Sequence, residues 1–510
     1  MRTGYNFPIS PRWGRARSAR RASVGSRSVG LALAIVFLGY LGLSFVVPPL
    51  DDEIYYWCWA KDLQWSYYDH PVMTALMIRA STEIFGDNLF AIRFPACVAN
   101  TVVLGVLAWL TRPRTILLGA LFSPLFTYGA VLITPDTPLI LFWSLYLAWL
   151  VVVHRRLDAF QPVPWKLWLL GGVILGCSIL GKYTTGLAIP CGAFSFLLLG
   201  RMHFRRWMAG YALHIFAAFL VSTPILVYNF QHEFAPLLFQ WKHSMAAEDD
   251  TPGIQTFGEF VGVQLLLFGS MPMLLLPWVW KRRRELLAIP LTRVCVCMYA
   301  LPMVFFLWKS MRGPIEGNWA LASYLGFWPV AAVWWERVAT TRFWRFQGRL
   351  TFTIPAVCVV LLTIHLIYPI PLVPAKDDRI SSMRERYKFA QRVAAELKTH
   401  PEVGTVFAPD YQWVSYMRFN GIDAHQLAGV WRPSHFTQNR AEKLADYPQC
   451  HFVSSYGVSG KFLEGVEEKN RFGHYEFRVR GEEFAIYQVW EYKRLEPPVP
   501  ANPEPVTPTP

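Results

Sequence analysis

Asp51-Asp52-Glu53-Ile54-Tyr55-Tyr56-Trp57 follows directly on the apolar run at 29–48, and Tyr68-Asp69-His70-Pro71 comes shortly after it. The apolar run is long enough to cross the roughly 30 Å of hydrocarbon in a bilayer. Carboxylates at the mouth of such a span are expensive, so four of them with a His, set among aromatic rings, ask for a chemical reason. The plain alternative is a solvated acidic loop, since Asp and Glu weigh little in setting topology.

Composition agrees with a membrane chain. Of 510 residues 53% are apolar, 16% aromatic and only 16% charged, and the mean hydropathy is +0.26, too oily for a soluble protein of several domains. Eleven apolar runs are expected to span, at residues 29–48, 89–110, 114–132, 137–153, 166–180, 184–200, 208–228, 257–280, 287–308, 319–335 and 350–373. The two short ones on either side of Gly181-Lys182 also read as one broken helix.

Basic residues orient the set. The tail at 1–28 holds Arg2, Arg12, Arg15, Arg17, Arg20, Arg21 and Arg27 with no acid, and positive segments stay cytoplasmic. Counting from there, the inner loops receive Arg112 and Arg114, Arg155 and Arg156, Arg201, Arg205 and Arg206, Lys281 to Arg284, and Arg337, Arg342, Arg345 and Arg349. The outer loops hold only Lys61, Arg79, Arg93, Lys182, Lys242, Lys309 and Arg312. This alternation accounts for most of the +14 net charge and the pI of 9.4. No nucleic-acid motif accompanies it, so no nucleic-acid partner is expected. Arg20-Arg21 suits an export signal, but no small-residue cleavage site follows, and the first span reads as an uncleaved anchor.

Six cysteines fall in apolar runs and read as small hydrophobes. Cys58 and Cys450 lie outside them, and the sequence leaves their pairing open. From 376 to 495 the composition is mixed and charged. A helical pattern at Arg384–Leu397 and strand-like runs at Val403–Ala408, Tyr411–Phe419, His451–Ser455, His474–Val479 and Phe484–Tyr492 suggest a small outer α/β domain. Residues 496–510, rich in Pro and Thr, read as a disordered tail.

The pattern Asp52-Glu53-x-Tyr55-Tyr56 followed by Tyr68-Asp69-His70-Pro71 resembles the first external loop of the GT-C superfamily of lipid-linked-sugar glycosyltransferases. More narrowly it looks like the bacterial branch related to protein O-mannosyltransferases and to lipid A aminoarabinose or galacturonic acid transferases. The likeness continues at Arg93-Phe94-Pro95, Thr134-Pro135-Asp136-Thr137-Pro138, Gly181-Lys182-Tyr183-Thr184 and Gly317-Asn318-Trp319, while Val72 stands where the family usually has a second Pro. The resemblance implies a polytopic α-helical membrane protein of about 11 transmembrane helices. The expected parts are a basic cytoplasmic tail (1–28), a transmembrane glycosyltransferase domain (29–375) with its catalytic external loop at 49–88, and an extracytoplasmic α/β domain (376–495). It places the chain in a bacterial inner membrane with site and C-terminal domain on the periplasmic side.

It further implies an inverting transfer from a polyprenyl-phosphate sugar to a lipid A-like glycolipid, another glycan or a protein. Such a reaction needs a base for the acceptor hydroxyl and cations for the departing phosphate. Asp52 is the expected base, with Asp51 as its fallback and Glu53 orienting or capping. Asp69 with His70 supports the same pocket, or Asp69 caps the helix starting near Pro71. Tyr55 and Tyr56, with Trp57, Trp59, Trp65, Tyr67 and Tyr68, are expected to form a floor for the sugar. Lys182 and Arg312 are expected at the phosphate and Asn318 and Trp319 at the substrate, with Asp136 either an N-cap or part of the site. Cofactor need is open: a divalent metal ion could be held by a carboxylate such as Asp69 with His232 or His243. A transporter or flippase of lipid-linked intermediates is the alternative, disfavoured because no repeat is evident and the polar residues gather at one face.

Overall fold

The computed structural model describes residues 18–111, 123–245, 253–338, 341–400, 402–439 and 441–495. Arg2, Arg12, Arg15, Arg17, Arg112, Arg114 and the tail expected at 496–510 lie outside the described residues, as do the side chains of Arg20, Arg21, Arg27, Arg201, Arg337 and His243. The start of the run at 114–132 lies outside them too, and what is described of it holds only the single turn Pro124–Thr127.

The bundle begins with α1 (Ser18–Ser44). Two short helices, α2 (Asp51–Lys61) and α3 (Met73–Phe85), replace most of the loop expected at 49–88. Next come α4 (Leu89–Leu110), α5 (Asp136–Asp158), α6 (Trp165–Ile179), α7 (Ala188–Leu197), α8 (Arg201–Gln231) and α9 (Ala235–Met245). The last part of the bundle is α10 (Gly253–Phe268), α11 (Met271–Lys281), α12 (Pro290–Ser310), α13 (Leu321–Val338) and α14 (Arg342–Ile367). Among the described residues five helices are long and apolar enough to cross a membrane: α4, α5, His203–Gln231 of α8, α12 and α14. The run expected at 257–280 is instead α10 and α11, bent by 99°. The bend sits at Gly269, whose φ of +71° suits glycine and where a Cβ would lie 2.3 Å from the Thr351 Cα.

The run around Gly181-Lys182 is broken, as one reading of it allowed. Between α6 and α7 the chain turns through an extended Lys182 (φ −157°, ψ 140°) and the short 3-10 turn Tyr183–Leu187. A Cβ on Gly181 would come within 3.1 Å of the Leu139 nitrogen and Pro138. Glycine therefore lets this break sit tight against the start of α5. The 23 residues of α5 separate its ends by about 34 Å. Asp158 at its far end takes Arg293 of α12 at 3.1 Å, while Asp136 at its near end faces the C-terminal domain's side of the bundle.

That domain carries α15 (Arg379–Leu397), α16 (Tyr411–Phe419) and a five-stranded sheet of order β2-β1-β3-β5-β4. The strands are β1 (Val406–Ala408), β2 (Ala424–Gln426), β3 (Gln449–Ser454), β4 (Val466–Val479) and β5 (Glu482–Arg494). β1 pairs in parallel with β2 and β3, and β5 antiparallel with β3 and β4. Tyr411–Phe419, expected as a strand for its aromatics, is a helix. The Asp410 side chain accepts from the Trp413 N–H at 2.9 Å, and Trp413, Val414 and Met417 bury one helical face. This crossover joins parallel β1 and β2, which a tight hairpin could not do.

The domain does not sit apart on a core of its own. One buried cluster joins Ile54, Tyr55 and Trp57 of α2 and Ala75 and Ile78 of α3 to Phe389, Val393, Val414 and Met417 of the outer domain. The Trp57 ring meets Phe419 edge-on at 5.0 Å. A smaller cluster, with Phe407, Phe452 and Trp490, lies wholly within the domain.

Candidate active site

The first turn of α2 fixes the site. Glu53, fully buried, takes Arg93 of α4 at 2.6 Å, accepts from the Leu50 N–H at 3.0 Å and from the Ile133 N–H at 3.1 Å. Arg93 donates onward to the carbonyls of Ser44, Val47 and Pro48. One ion pair thus ties the end of α1, the start of α2, α4 and the 133 segment together. Glu53 caps α2 and holds Arg93, as one of its expected roles had it, and it does not line the cavity that Asp52 enters, so its place among the catalytic groups is corrected. On a helix, residues three and four apart share a face. Asp52, Tyr55 and Tyr56 accordingly turn together into a cavity of about 720 Å³.

Asp51, one step round, points away into the outer domain. It pairs with Arg386 and accepts from Tyr416 Oη at 2.6 Å. Both oxygens are engaged and the residue does not line the cavity, which removes the fallback base.

Asp69 lies across from Asp52. Its Oδ2 accepts from Tyr55 Oη at 2.9 Å, its Oδ1 takes Arg432 at 2.7 Å, and its carbonyl accepts from Gln240. It caps nothing: α3 starts at Met73 with Val72 in the cap position. The third carboxylate, Asp136, is also no cap. Its Oδ1 takes Lys182 Nζ at 2.8 Å and its Oδ2 takes Asn318 Nδ2 at 2.6 Å. His70, Trp319 and Thr134 line the same cavity.

Burial pushes the Asp52 carboxyl up to about 6, with the negative charges of Asp51 and Asp69 adding to it. The Tyr411 hydroxyl, which donates to Asp52 Oδ1 at 3.1 Å, and the Arg432 guanidinium pull the other way. A carboxylate poised just below neutrality is suited to take a proton from a hydroxyl.

Two expected residues stand elsewhere. Arg312 is exposed at the end of α12, with its guanidinium 4.4 Å over the Trp308 ring. It does not line the cavity, because the turn after Ser310 carries it back along its own helix. His232 belongs to a separate, mainly apolar cavity of about 600 Å³ beside Leu63, Trp65, Val72 and Leu76, and its Nδ1 lies 2.8 Å from the Tyr228 carbonyl. Asp69 has both oxygens engaged, so the expected metal pair is not assembled. Among the described residues no group of three or more His, Cys, Asp or Glu is placed to hold a metal ion.

Of the seven aromatics expected as a floor, Tyr55 and Tyr56 line the cavity. Trp59 and Tyr67 instead stack on each other at 4.4 Å within the core. Cys58 and Cys450 are both buried free thiols.

Among the cavity residues that escaped the sequence reading are Phe239 and Gln240 of α9 and, from the outer domain, Arg379, Tyr411 and Arg432. No sequence signal pointed to the outer-domain residues, which stand in a charged, mixed stretch without a motif.

Residues 69–228 match the family model of the dolichyl-phosphate-mannose-protein mannosyltransferases. Lipid A galacturonosyltransferase RgtD of Rhizobium johnstonii is 23% identical over 454 residues, covering 84% of this chain and 87% of that protein. The chain is related to the GT-C glycosyltransferases that modify lipid A. A second relative is the undecaprenyl phosphate-alpha-4-amino-4-deoxy-L-arabinose arabinosyl transferase 1 of Pseudomonas fluorescens. It is 25% identical over 319 residues, which span 58% of this chain and 54% of that protein. The fold is similar to that of ArnT from Cupriavidus metallidurans bound to undecaprenyl phosphate, with a TM-score of 0.59 at 13% identity over 92% of this chain and 98% of that one. The apo state of the same protein gives a TM-score of 0.58 at 14% identity. The family match begins at Asp69, and it contains Asp136 and Lys182 of the cavity.

Proposed function

We propose that the protein is an inverting membrane glycosyltransferase that moves a sugar from a polyprenyl phosphate to a hydroxyl of a lipid A-like glycolipid outside the cytoplasm. The observation that carries the reading is Asp52, a carboxylate pushed up to about 6 in a cavity that also holds the Lys182 ammonium. The acceptor oxygen attacks the anomeric carbon from the face opposite the phosphate, and Asp52 takes its proton. The bond from that carbon to the phosphate oxygen breaks, and polyprenyl phosphate leaves with one more negative charge. An ammonium has three donors, and one of those on Lys182 is used on Asp136. The others and the Arg379 guanidinium are the cations for that phosphate, a role earlier expected of Arg312. Tyr55 and Tyr56 offer rings to the sugar.

The name of one relative, a lipid A galacturonosyltransferase, favours a glycolipid over a protein acceptor, and both relatives are named as transferases, which weighs against the transporter alternative. An extracytoplasmic site is supported by the basic residues gathered toward the far ends of the helices. A reporter active only outside the cytosol should signal when fused after Leu495 and stay silent at Arg284; the opposite pattern would overturn this orientation. The transfer itself is tested by incubating purified protein with labelled polyprenyl-phosphate sugars and lipid A, followed by mass spectrometry. A sugar added to lipid A is expected, and labelled sugar appearing only on protein would refute the acceptor.

A further inference from the structure

Asp52 and Asp69 face one cavity, and among the described residues the cation bonded to Asp69 comes from the outer domain. Arg432 Nη1 lies 2.7 Å from Asp69 Oδ1. Its guanidinium rests 4.6 Å from the Tyr411 ring and 5.5 Å from the Phe239 ring, and the Tyr411 hydroxyl donates to Asp52 Oδ1. The Tyr411 ring in turn packs at 4.4 Å on Tyr55, whose hydroxyl holds the other oxygen of Asp69. The backbone N–H of His435, three residues beyond Arg432, donates to that same Tyr55 oxygen at 2.8 Å. The two carboxylates are therefore held from above by one connected set of groups.

We propose that Arg432 and Tyr411 of the outer domain are positioning residues of the transfer reaction, holding Asp69 and Asp52 in place in the cavity. This rests on the transferase reading above. The charged and titratable groups about Asp52 are Asp51, Tyr55 and Tyr56 on its own helix, Asp69 and His70 on the following turn, Asp136, Lys182, Tyr183 and Glu316 across the cavity, and Arg379, Tyr411 and Arg432 from the outer domain. Of these, Asp51 and then Asp69 disfavour the charged form of Asp52, while Tyr411 and Arg432 favour it. A base acts when ionised, so activity falls as pH drops through its pKa. Loss of Arg432 exposes Asp52 to an uncompensated Asp69 and moves that fall to higher pH. Loss of the Asp69 charge moves it lower.

The test follows kcat/KM for sugar transfer from a polyprenyl-phosphate sugar to lipid A between pH 5 and 8. The purified full chain is compared with Arg432→Gln, Arg432→Lys, Tyr411→Phe and Asp69→Asn. The acid limb should lie near pH 6 in the wild type. It should rise by on the order of one pH unit in Tyr411→Phe, less in Arg432→Gln, and fall in Asp69→Asn. Arg432→Gln should also lose roughly ten- to a hundredfold in kcat/KM at pH 7, the scale of a charge-assisted hydrogen bond. Arg432→Lys should return the limb but not the full rate, since an ammonium lacks the planar fork. A wild-type limb in Arg432→Gln and Tyr411→Phe, or equal rate loss at every pH without recovery by Lys, would overturn the proposal. Tyr411→Phe removes one oxygen, so it serves if Arg432→Gln fails to fold. Infrared titration of the carboxyl band lost in Asp52→Asn reads the same shifts without turnover. If wild type transfers no sugar, the transferase reading falls while this titration still decides the positioning.

Discussion

Asp52, Asp69 and Asp136 come from the bundle, while Tyr411, Arg379 and Arg432 come from the outer domain, and the cavity needs both sets. The bundle's carboxylates sit where the local sequence puts them: on the cavity-facing side of a helix's first turn, on a turn before a helix, and at the head of a span. The outer domain's groups have no such local anchor. Arg432 meets Asp69 across 363 residues of sequence, and Tyr411 meets Asp52 across 359. Chemistry placed by short-range rules is thus completed by chemistry placed only through tertiary packing.

The sharpest break in the bundle's half should come from Glu53. Glu53→Gln leaves Arg93 charged and buried without its partner, which costs roughly 3–5 kcal/mol in comparable pairs. The yield of folded protein, read by size-exclusion chromatography in detergent, should collapse, whereas Asp51→Asn next door should remain soluble and monodisperse. Next in size is Lys182→Met, which should lower kcat/KM for the donor by roughly ten- to a hundredfold, the scale of a lost charge-assisted contact to a phosphate. An unchanged value would move the phosphate away from the bundle and toward Arg379. The smallest effect belongs to Arg312→Ala. Its side chain rests on Trp308 at the surface, so donor KM should stay within about twofold of wild type, as for most surface substitutions away from special features. A larger rise would bring Arg312 back to the donor.

The same contrast decides what could be read from the sequence. Asp52 was legible because it stands at the mouth of an apolar run, but the helical face it shares with Tyr55 and Tyr56 was not, because the stretch read as a loop. Lys182 was legible from its break between two short apolar runs, and Gly181 supplies the physical reason for that break. Glu53 was only half legible: nothing local says that it turns toward Arg93, 40 residues on. Arg312 was placed by its neighbours in the chain, but the turn after α12 sends its side chain elsewhere. Tyr411–Phe419 read as a strand because aromatic content outweighed the Asp410 cap and the three- and four-residue spacing of its buried face. The roof of the cavity was not legible at all, because an Arg after an exposed Trp in a mixed domain carries no periodic or motif signal.

The most direct test of the account is the transfer rate of purified Asp52→Asn at pH 7.5 with saturating donor and acceptor. The protein should remain folded and bind donor, while kcat falls by about 10²-fold or more, the usual scale for losing a general base. Activity within a few-fold of wild type would contradict the assignment of Asp52 as the base.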